Sequence, residues 1–368
     1  MKTRAAVVRE PGRLTIEEIE LDPPGDGEVL VAMKAAGVCH SDLHTLRGEL
    51  RMQPPLVLGH EGAGVVEAVG TGITRVAPGD HVMVNWLPAD ETCPSCLRGQ
   101  PNLCQRFAST TFAGKLLDGT SRMRTDDDVE LKHYLTASTM SERMVLMEDS
   151  MIPISDDTPF DVAAITACAV VTGVGAVINT AKVPAGSSAA VIGCGGIGLS
   201  MVQGCQLAGC NPIIAVDVLP EKLAWATELG ATHTVDASQA DPVAALQELT
   251  GGGPDYVFDS VGSAGTISQA LSATRPGGEA VIAGLHSVMS EVSVFAASLI
   301  LQNKTLRGSF AGSLRPRVDL PMLIDMWKAG RLQTDKLITK TYALDELAQA
   351  FEDMEAGRVA RGVIAFDS

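Results

Sequence analysis

The sequence has far fewer basic than acidic residues. Its 368 residues include 28 lysines and arginines against 44 aspartates and glutamates, which gives a formal net charge of −16 at pH 7. A chain this acidic is repelled by nucleic acid phosphates and by anionic lipid surfaces. We therefore expect neither nucleic acid nor a membrane as a partner.

We expect no signal peptide at the start of this sequence, and it contains a single long apolar run. Residues 1–4 lead directly into an alternating, strand-like segment. Residues 162–181 are long and apolar enough to span a bilayer, but they contain Gly173, Gly175 and several threonines. We expect this segment to be a buried helix at a domain junction, and the protein to be soluble and cytoplasmic.

The chain is long enough, at 368 residues, for two domains with full cores. In a large chain without a secretory signal, clustered cysteines indicate metal binding more than disulfides. The eight cysteines are Cys39, Cys93, Cys96, Cys104, Cys168, Cys194, Cys205 and Cys210.

The chain up to about residue 150 predicts a β-rich domain. Residues 29–33, 64–70 and 81–84 are short apolar runs bounded by glycine or proline, which is typical of strands. Strands do not alternate with helices in this part, so we do not expect a parallel sheet here.

Strands that alternate with helices begin near residue 186. Pro220 opens and Gly230 closes one intervening helix, and Asp241 caps the next. The predicted strands are residues 189–192, 213–217, 233–235, 256–259, 279–283 and 305–310. The alternation predicts an α/β unit with a doubly wound parallel sheet.

The alternation stops after about residue 312. Two amphipathic helices, near residues 320–328 and 344–355, precede a last strand at residues 362–366. We expect this tail to return to the N-terminal domain. The predicted domains are residues 1–169 and 170–311, with residues 312–368 completing the first.

Two short runs, residues 39–44 and 59–62, concentrate chemically active side chains. The first run contains Cys39 and the second contains His60. Thiolate and imidazole together suit zinc, and a catalytic zinc takes three protein ligands and leaves one position open. The third ligand must come from elsewhere in the chain. Cys168, in the apolar segment, is by itself typical of a small buried hydrophobic residue.

A glycine-rich run fits the pattern G-x-G-x-x-G. It consists of Gly193, Cys194, Gly195, Gly196, Ile197 and Gly198. Because it follows a predicted strand and opens a helix, it predicts a dinucleotide site, where the helix N-terminus favours the pyrophosphate. Asp217, at the end of the next strand, would bind a ribose 2′-hydroxyl and repel a 2′-phosphate, which favours NAD over NADP. Lys222 is a candidate contact for the ribose.

A third cluster combines Cys93 and Cys96, spaced as C-x-x-C, with Cys104. This set predicts a closed structural zinc site. Such a site needs four ligands. Asp90 is the first candidate for the fourth, and Glu91 is the second.

Taken together, these motifs resemble the zinc-dependent medium-chain alcohol dehydrogenases, in particular their liver-type or class III-like branch. The resemblance rests on residues 39–42 and 59–64, the cysteine cluster, residues 193–198 and Asp217, and it extends to residues 361–364. It implies a Rossmann cofactor domain inserted in a β-rich GroES-like catalytic domain. It also implies zinc and NAD as cofactors and a homodimer or homotetramer that associates through residues 279–301.

The resemblance further implies a function for individual residues. The catalytic zinc would be held by Cys39, His60 and Cys168. Asp42 would orient His60, and Glu61 would lie behind the metal. Ser41 would contact the alcohol oxygen and pass its proton through the cofactor ribose to His44 and on to solvent. His40 and Arg361 would contact the pyrophosphate. The residues expected to line the substrate pocket are Trp86, Tyr134 and Leu135.

The expected reaction is reversible hydride transfer between NAD and a primary alcohol, with aromatic and allylic alcohols as candidates. One rival is a formaldehyde dehydrogenase that acts on a thiol adduct such as S-hydroxymethylglutathione. The absence of a suitable basic residue for a glutathione carboxylate at positions 108–115 disfavours that rival. A dismutase with tightly held NAD and a zinc- and nucleotide-binding protein without turnover are two more candidates.

Overall fold

The computed structural model describes residues 1–50 and 52–366. Within it the chain forms two compact units. The first comprises Met1–Cys168, Arg315–Ala329 and the described residues from Thr334 onwards, and the second comprises Ala169–Leu314 and Gly330–Gln333. The domain boundaries given above stay predictions.

The strands and helices of the described chain follow in sequence order. The strands are β1 (Lys2–Glu10), β2 (Arg13–Leu21), β3 (Glu28–Val38), β4 (Leu56–Val57), β5 (Gly62–Val69), β6 (His81–Val84), β7 (Met123–Arg124), β8 (Glu130–His133), β9 (Arg143–Met147), β10 (Met151–Pro153), β11 (Ala189–Ile192), β12 (Ile213–Asp217), β13 (His233–Asp236), β14 (Tyr256–Asp259), β15 (Glu279–Ile282), β16 (Thr305–Gly308), β17 (Ile338–Tyr342) and β18 (Arg361–Ala365). The α-helices are α1 (His40–Leu46), α2 (Pro94–Leu97), α3 (Gln105–Ala113), α4 (Phe160–Ile165), α5 (Val171–Gly175), α6 (Gly196–Leu207), α7 (Pro220–Glu228), α8 (Pro242–Thr250), α9 (Ala264–Ala273), α10 (Ala296–Leu301), α11 (Pro316–Lys328) and α12 (Leu347–Glu355).

The first unit contains a barrel and an open sheet. Strands β1, β2, β7, β8 and β4 close the barrel in that order. In the open sheet, the long strand β3 pairs with β5, β9 and β18. Gly362 of β18 lies opposite Val38, the last residue of β3. The C-terminal strand therefore returns to the first unit, as predicted, and lies beside the chain segment that begins at Cys39.

The second unit contains a parallel sheet in the order β13, β12, β11, β14, β15, β16. In chain order this is 3-2-1-4-5-6, the order of a doubly wound dinucleotide-binding fold. Strands β11 and β12 are buried along their whole length, as expected for parallel strands covered on both faces. Because residues on both sides of this unit in sequence belong to the first unit, the predicted insertion is confirmed.

The apolar segment predicted as a buried helix is a helical run from Phe160 to Ala181. It is the one helix of the described chain that is long and apolar enough to cross a membrane, and 89% of its most apolar window is buried inside the protein. It is not uniformly α-helical, since the π-helical segments Thr166–Val170 and Ala176–Ala181 interrupt it. Cys168 lies in the first of these segments.

Candidate metal centres and nucleotide-binding turn

The first cluster of candidate ligands joins three separate parts of the first unit. Cys39 follows β3 and caps helix α1, His60 precedes β5, and Cys168 lies in the π-helical segment. One donor atom from each of them, together with a carboxylate oxygen of Glu61, lies within 4.8 Å of all the others. All four residues are buried. The fold therefore brings together the three residues that were predicted as catalytic zinc ligands.

Asp42 fixes the orientation of the His60 ring. Nδ1 of His60 donates to Oδ1 of Asp42 at 3.2 Å, and the opposite nitrogen, Nε2, lies 3.5 Å from Sγ of Cys168. Asp42 is held in turn, because it accepts hydrogen bonds from the backbone N–H groups of Gly59 and Cys39. A carboxylate behind a ligating histidine is the usual arrangement at metal sites.

Glu61 forms a buried ion pair with Arg361. Oε2 of Glu61 accepts a hydrogen bond from the Arg361 guanidinium. Oε1 is buried, lies 4.0 Å from Nε2 of His60 and has no hydrogen-bond partner among the described residues. Burial raises the pKa of Glu61 to about 7, although Arg361 acts in the opposite direction. The predicted contact of Arg361 with a pyrophosphate stays a prediction.

The donor set of this cluster fits zinc. It offers two thiols, one imidazole that is already oriented and one unpartnered carboxylate oxygen, which is a combination that zinc accepts. A hydrogen bond from Cys168 holds the pKa of Cys39 well below its ordinary value. Cys39 therefore loses its proton more readily than a free thiol does, as binding of zinc requires.

The second cluster lies in the loop region around α2 and contains Asp90, Cys93, Cys96 and Cys104. One donor atom from each lies within 4.8 Å of the others, and Sγ of Cys93 lies 3.5 Å from Sγ of Cys96. Glu91 points to a different partner, since its carboxylate lies 2.7 Å from Nε of Arg317. The structure thus brings Asp90, rather than Glu91, to the three thiols.

Helix α1 carries the residues of the predicted proton path. Ser41 and His44 are both partly buried, and His40 is exposed. The Tyr134 hydroxyl donates to the backbone oxygen of Ser41 at 2.9 Å, which fixes the first turn of the helix. Nδ1 of His44 contacts the Glu49 carboxylate, a partner that was not predicted from the sequence.

Aromatic rings surround His60. The ring centroids of Trp86 and Tyr134 lie 5.8 Å and 5.6 Å from that of His60, and both contacts are edge-to-face. Tyr134 is almost completely buried, and Leu135 beside it has a positive φ of 48°. The three residues predicted to line the substrate pocket are thus all buried, with two of them directly against a candidate ligand.

The glycine-rich turn of the second unit connects β11 to α6. Gly193 has a φ of +88°, and a Cβ atom on Gly198 would lie 1.8 Å from the Gly193 carbonyl oxygen, so neither position accepts a larger residue without strain. The Asp217 carboxylate accepts a hydrogen bond from the backbone N–H of Cys194 at 2.7 Å. Lys222 is partly buried in α7. The turn and the acidic strand end that define the predicted NAD site are therefore neighbours.

Comparison with known proteins identifies the family. Residues 25–156 match the family described as alcohol dehydrogenase GroES-like domain, and residues 196–328 match the family described as zinc-binding dehydrogenase. A class-3 alcohol dehydrogenase of Cereibacter sphaeroides is 41% identical over 377 aligned residues, which cover 100% of both chains. The chain is a member of the zinc-dependent alcohol dehydrogenase family.

Two further relatives are named for different dehydrogenase activities. An S-(hydroxymethyl)glutathione dehydrogenase of Paracoccus denitrificans is 39% identical, with both chains covered completely. The crystal structure of benzyl alcohol dehydrogenase from Acinetobacter calcoaceticus superimposes with a TM-score of 0.94 at 30% identity, again over both complete chains. The family, the zinc-type donor cluster and the doubly wound sheet confirm zinc and NAD as cofactors. The functions of individual residues stay predictions.

Proposed function

We propose that the protein is a cytoplasmic, NAD-dependent alcohol dehydrogenase that interconverts primary alcohols, including aromatic or allylic ones, and their aldehydes. The observation that carries this proposal is the buried cluster of two thiols, one oriented imidazole and one unpartnered carboxylate oxygen. Burying a carboxylate oxygen without a partner costs free energy, and a cation bound by this cluster would offset that cost.

The proposed zinc ligands are Cys39, His60 and Cys168. A zinc ion held by them supplies a positive charge that makes an alcohol hydroxyl more acidic and polarises an aldehyde carbonyl. Asp42 keeps Nε2 of His60 directed towards the thiols. Glu61, anchored on one side by Arg361, presents its free oxygen to the same cluster.

The proposed proton path uses helix α1. The Ser41 hydroxyl is suited to accept the proton that the alcohol loses, and His44, one helical turn further on, is suited to carry it to solvent. Trp86 and Leu135 would exclude water from the reacting atoms, because both are buried. The bulky Trp86 ring beside His60 would favour flat or slender alcohols over bulky ones.

The proposed NAD site lies at the glycine-rich turn of the second unit. Backbone N–H groups at the start of α6 would bind the pyrophosphate, and Asp217 would bind the ribose hydroxyls and repel a 2′-phosphate. Lys222, His40 and Arg361 are proposed as additional cofactor contacts. A separate structural zinc would be held by Asp90, Cys93, Cys96 and Cys104.

A thiol-adduct formaldehyde dehydrogenase is the second candidate, because two relatives that are 39% identical are named S-(hydroxymethyl)glutathione dehydrogenase. Against it stands the segment at residues 108–115, in which the only basic side chain, Lys115, pairs with Glu130. A glutathione carboxylate would have to compete with Glu130 for that lysine. We therefore favour free alcohols as substrates.

We also propose a homodimer that forms through one edge of the second unit. Strand β16 is an edge strand whose four residues are exposed. The side chains of Phe295, Ile300 and Leu301, which precede β16 in sequence, are 80%, 76% and 82% exposed. Edge strands and large apolar patches are rarely left open to solvent. A tetramer would need a second contact elsewhere.

A substrate panel tests the proposed activity. We expect purified protein to oxidise benzyl alcohol and allyl alcohol with NAD at least tenfold faster than with NADP, and to oxidise formaldehyde no faster when glutathione is added. Turnover of formaldehyde that depends on glutathione would favour the second candidate. Unchanged benzyl alcohol oxidation by Cys39→Ser would favour a site unrelated to the metal cluster.

A further inference from the structure

The end of helix α1 folds back on itself. The helix ends at Leu46, and Gly48 follows with a φ of +74°. The N–H of Gly48 donates to the Thr45 carbonyl oxygen at 3.0 Å, and the N–H of Glu49 donates to the His44 carbonyl oxygen at 2.9 Å. These two hydrogen bonds form a Schellman motif, which places the residue after the glycine against the last turn of the helix.

The two side chains that the motif brings together are Glu49 and His44. An apolar contact frequently accompanies a Schellman motif, but here Oε2 of Glu49 contacts Nδ1 of His44. The His44 side chain is 14% exposed and that of Glu49 is 43% exposed. The pair therefore leads from a partly buried ring to solvent. Because backbone hydrogen bonds fix both residues, the contact is more constrained than an ordinary surface ion pair.

We propose that Glu49 is a positioning residue for His44, an inference that rests on the proposed function. A hydrogen bond from Nδ1–H to the Glu49 carboxylate leaves Nε2 as the acceptor nitrogen of the ring. When the alcohol loses its proton, Nε2 takes up one proton while Nδ1 releases one to Oε2 of Glu49, which passes it to water. One proton enters the ring and one leaves, so the charge of the ring is unchanged and no electron is transferred.

The kinetic test compares Glu49→Ala with wild type in the oxidation of benzyl alcohol by NAD at low buffer concentration. We expect kcat to fall about tenfold, with the KM for NAD unchanged. The matched control is Glu355→Ala. Glu355 pairs with Arg47 of the same helix end at 2.5 Å, and the two side chains are 41% and 43% exposed. We expect this control to stay within twofold of wild type.

A second comparison separates positioning from a general effect on folding. In a His44→Gln background, Glu49→Ala should cause no further loss of kcat, because Glu49 is proposed to act only by positioning the His44 imidazole. An equal loss in both backgrounds, or a kcat for Glu49→Ala within twofold of wild type, would overturn the inference.

A readout that does not depend on activity is the tautomer of His44 in the NAD-bound protein. Nitrogen-15 NMR should show the Nδ1–H tautomer in wild type and a mixture of tautomers in Glu49→Ala. The same tautomer in both proteins would overturn the inference. A protein that oxidises no alcohol, but whose His44 tautomer depends on Glu49, would refute the proposed function and leave the positioning contact standing.

Discussion

At the scale of single residues, His133 in the first unit is a histidine whose protonated form is strongly disfavoured by folding. It is completely buried, and neither ring nitrogen has a hydrogen-bond partner among the described residues. Burial lowers the pKa of His133 to about 3, and the charges of Arg122 and Lys115 act in the same direction. The ordinary histidine pKa is about 6.5. The unfolded chain therefore binds a proton over a pH range in which the folded protein does not.

This difference in the pKa of His133 between the folded and unfolded states predicts that acid destabilises the folded protein. His133→Leu should remove this contribution. Because the pKa of His133 is lowered on folding, stability is lost as the pH falls below about 6.5 and continues to fall towards the folded pKa. Between pH 6 and pH 4, wild type should lose about 1.4 kcal/mol more unfolding free energy per pH unit than His133→Leu. Urea unfolding of both proteins at several pH values, with zinc present, measures how the unfolding free energy depends on pH.

The control for this prediction is His233→Leu, at an exposed histidine of β13. This variant controls for the loss of one histidine at a position where the ring is open to solvent. Parallel curves for wild type and His133→Leu would show that His133 finds a partner, such as a water molecule, that satisfies its ring.

At the scale of secondary structure elements, the exposed edge of the second unit leads to a prediction about assembly. Light scattering should give wild type a mass of twice the 38.4 kDa chain. Leu301→Asp places a charge in the exposed apolar patch and should yield monomer, because a desolvated unpaired carboxylate opposes association. The control is Phe112→Asp on α3, which is 59% exposed and far from this edge in sequence. A Leu301→Asp protein with the wild-type mass would place the interface elsewhere.

Elements defined by short buried runs could be predicted from the sequence. Strands β11, β12 and β14 have the predicted bounds, because an apolar run of four or five residues between a turn and a helix start allows few other structures. Helix α1 was not predicted, since its seven residues carry several polar side chains and no apolar stripe. The π-helical turns were not predicted either, because no local residue pattern distinguishes them from an α-helix.

Residues of the candidate site could be predicted from the sequence where they lie within a recognisable local motif. Cys39 and His60 stand in conspicuous runs. Cys168 was assigned only through resemblance to a family, because it lies between Ala167 and Ala169 in a mostly apolar segment. Glu49 was missed because helix α1 was not predicted. Once the helix is known to end at Leu46, Gly48 after the cap residue predicts a Schellman motif that brings Glu49 back to the helix. The Glu61–Arg361 pair joins residues 300 positions apart. It could not be predicted from local sequence, because it depends on the pairing of β18 with β3.

At the scale of the whole molecule, the candidate metal sites and the candidate nucleotide site belong to different units. The first unit holds both metal clusters, and the second holds the glycine-rich turn and Asp217. A net charge of −16 disfavours macromolecular polyanions as partners, which agrees with a small, uncharged alcohol as substrate. The central claim is that Cys39, His60 and Cys168 hold a zinc ion distinct from the one in the cysteine cluster around α2.

The zinc content of three proteins tests this claim most directly. Wild type should contain two zinc ions per chain. Cys168→Ser should keep one and lose benzyl alcohol oxidation by a factor of at least about a hundred, whereas Cys96→Ser should also keep one but retain measurable turnover. A wild-type content of one zinc per chain, or a Cys168→Ser protein that keeps both zinc ions and full activity, would contradict the account.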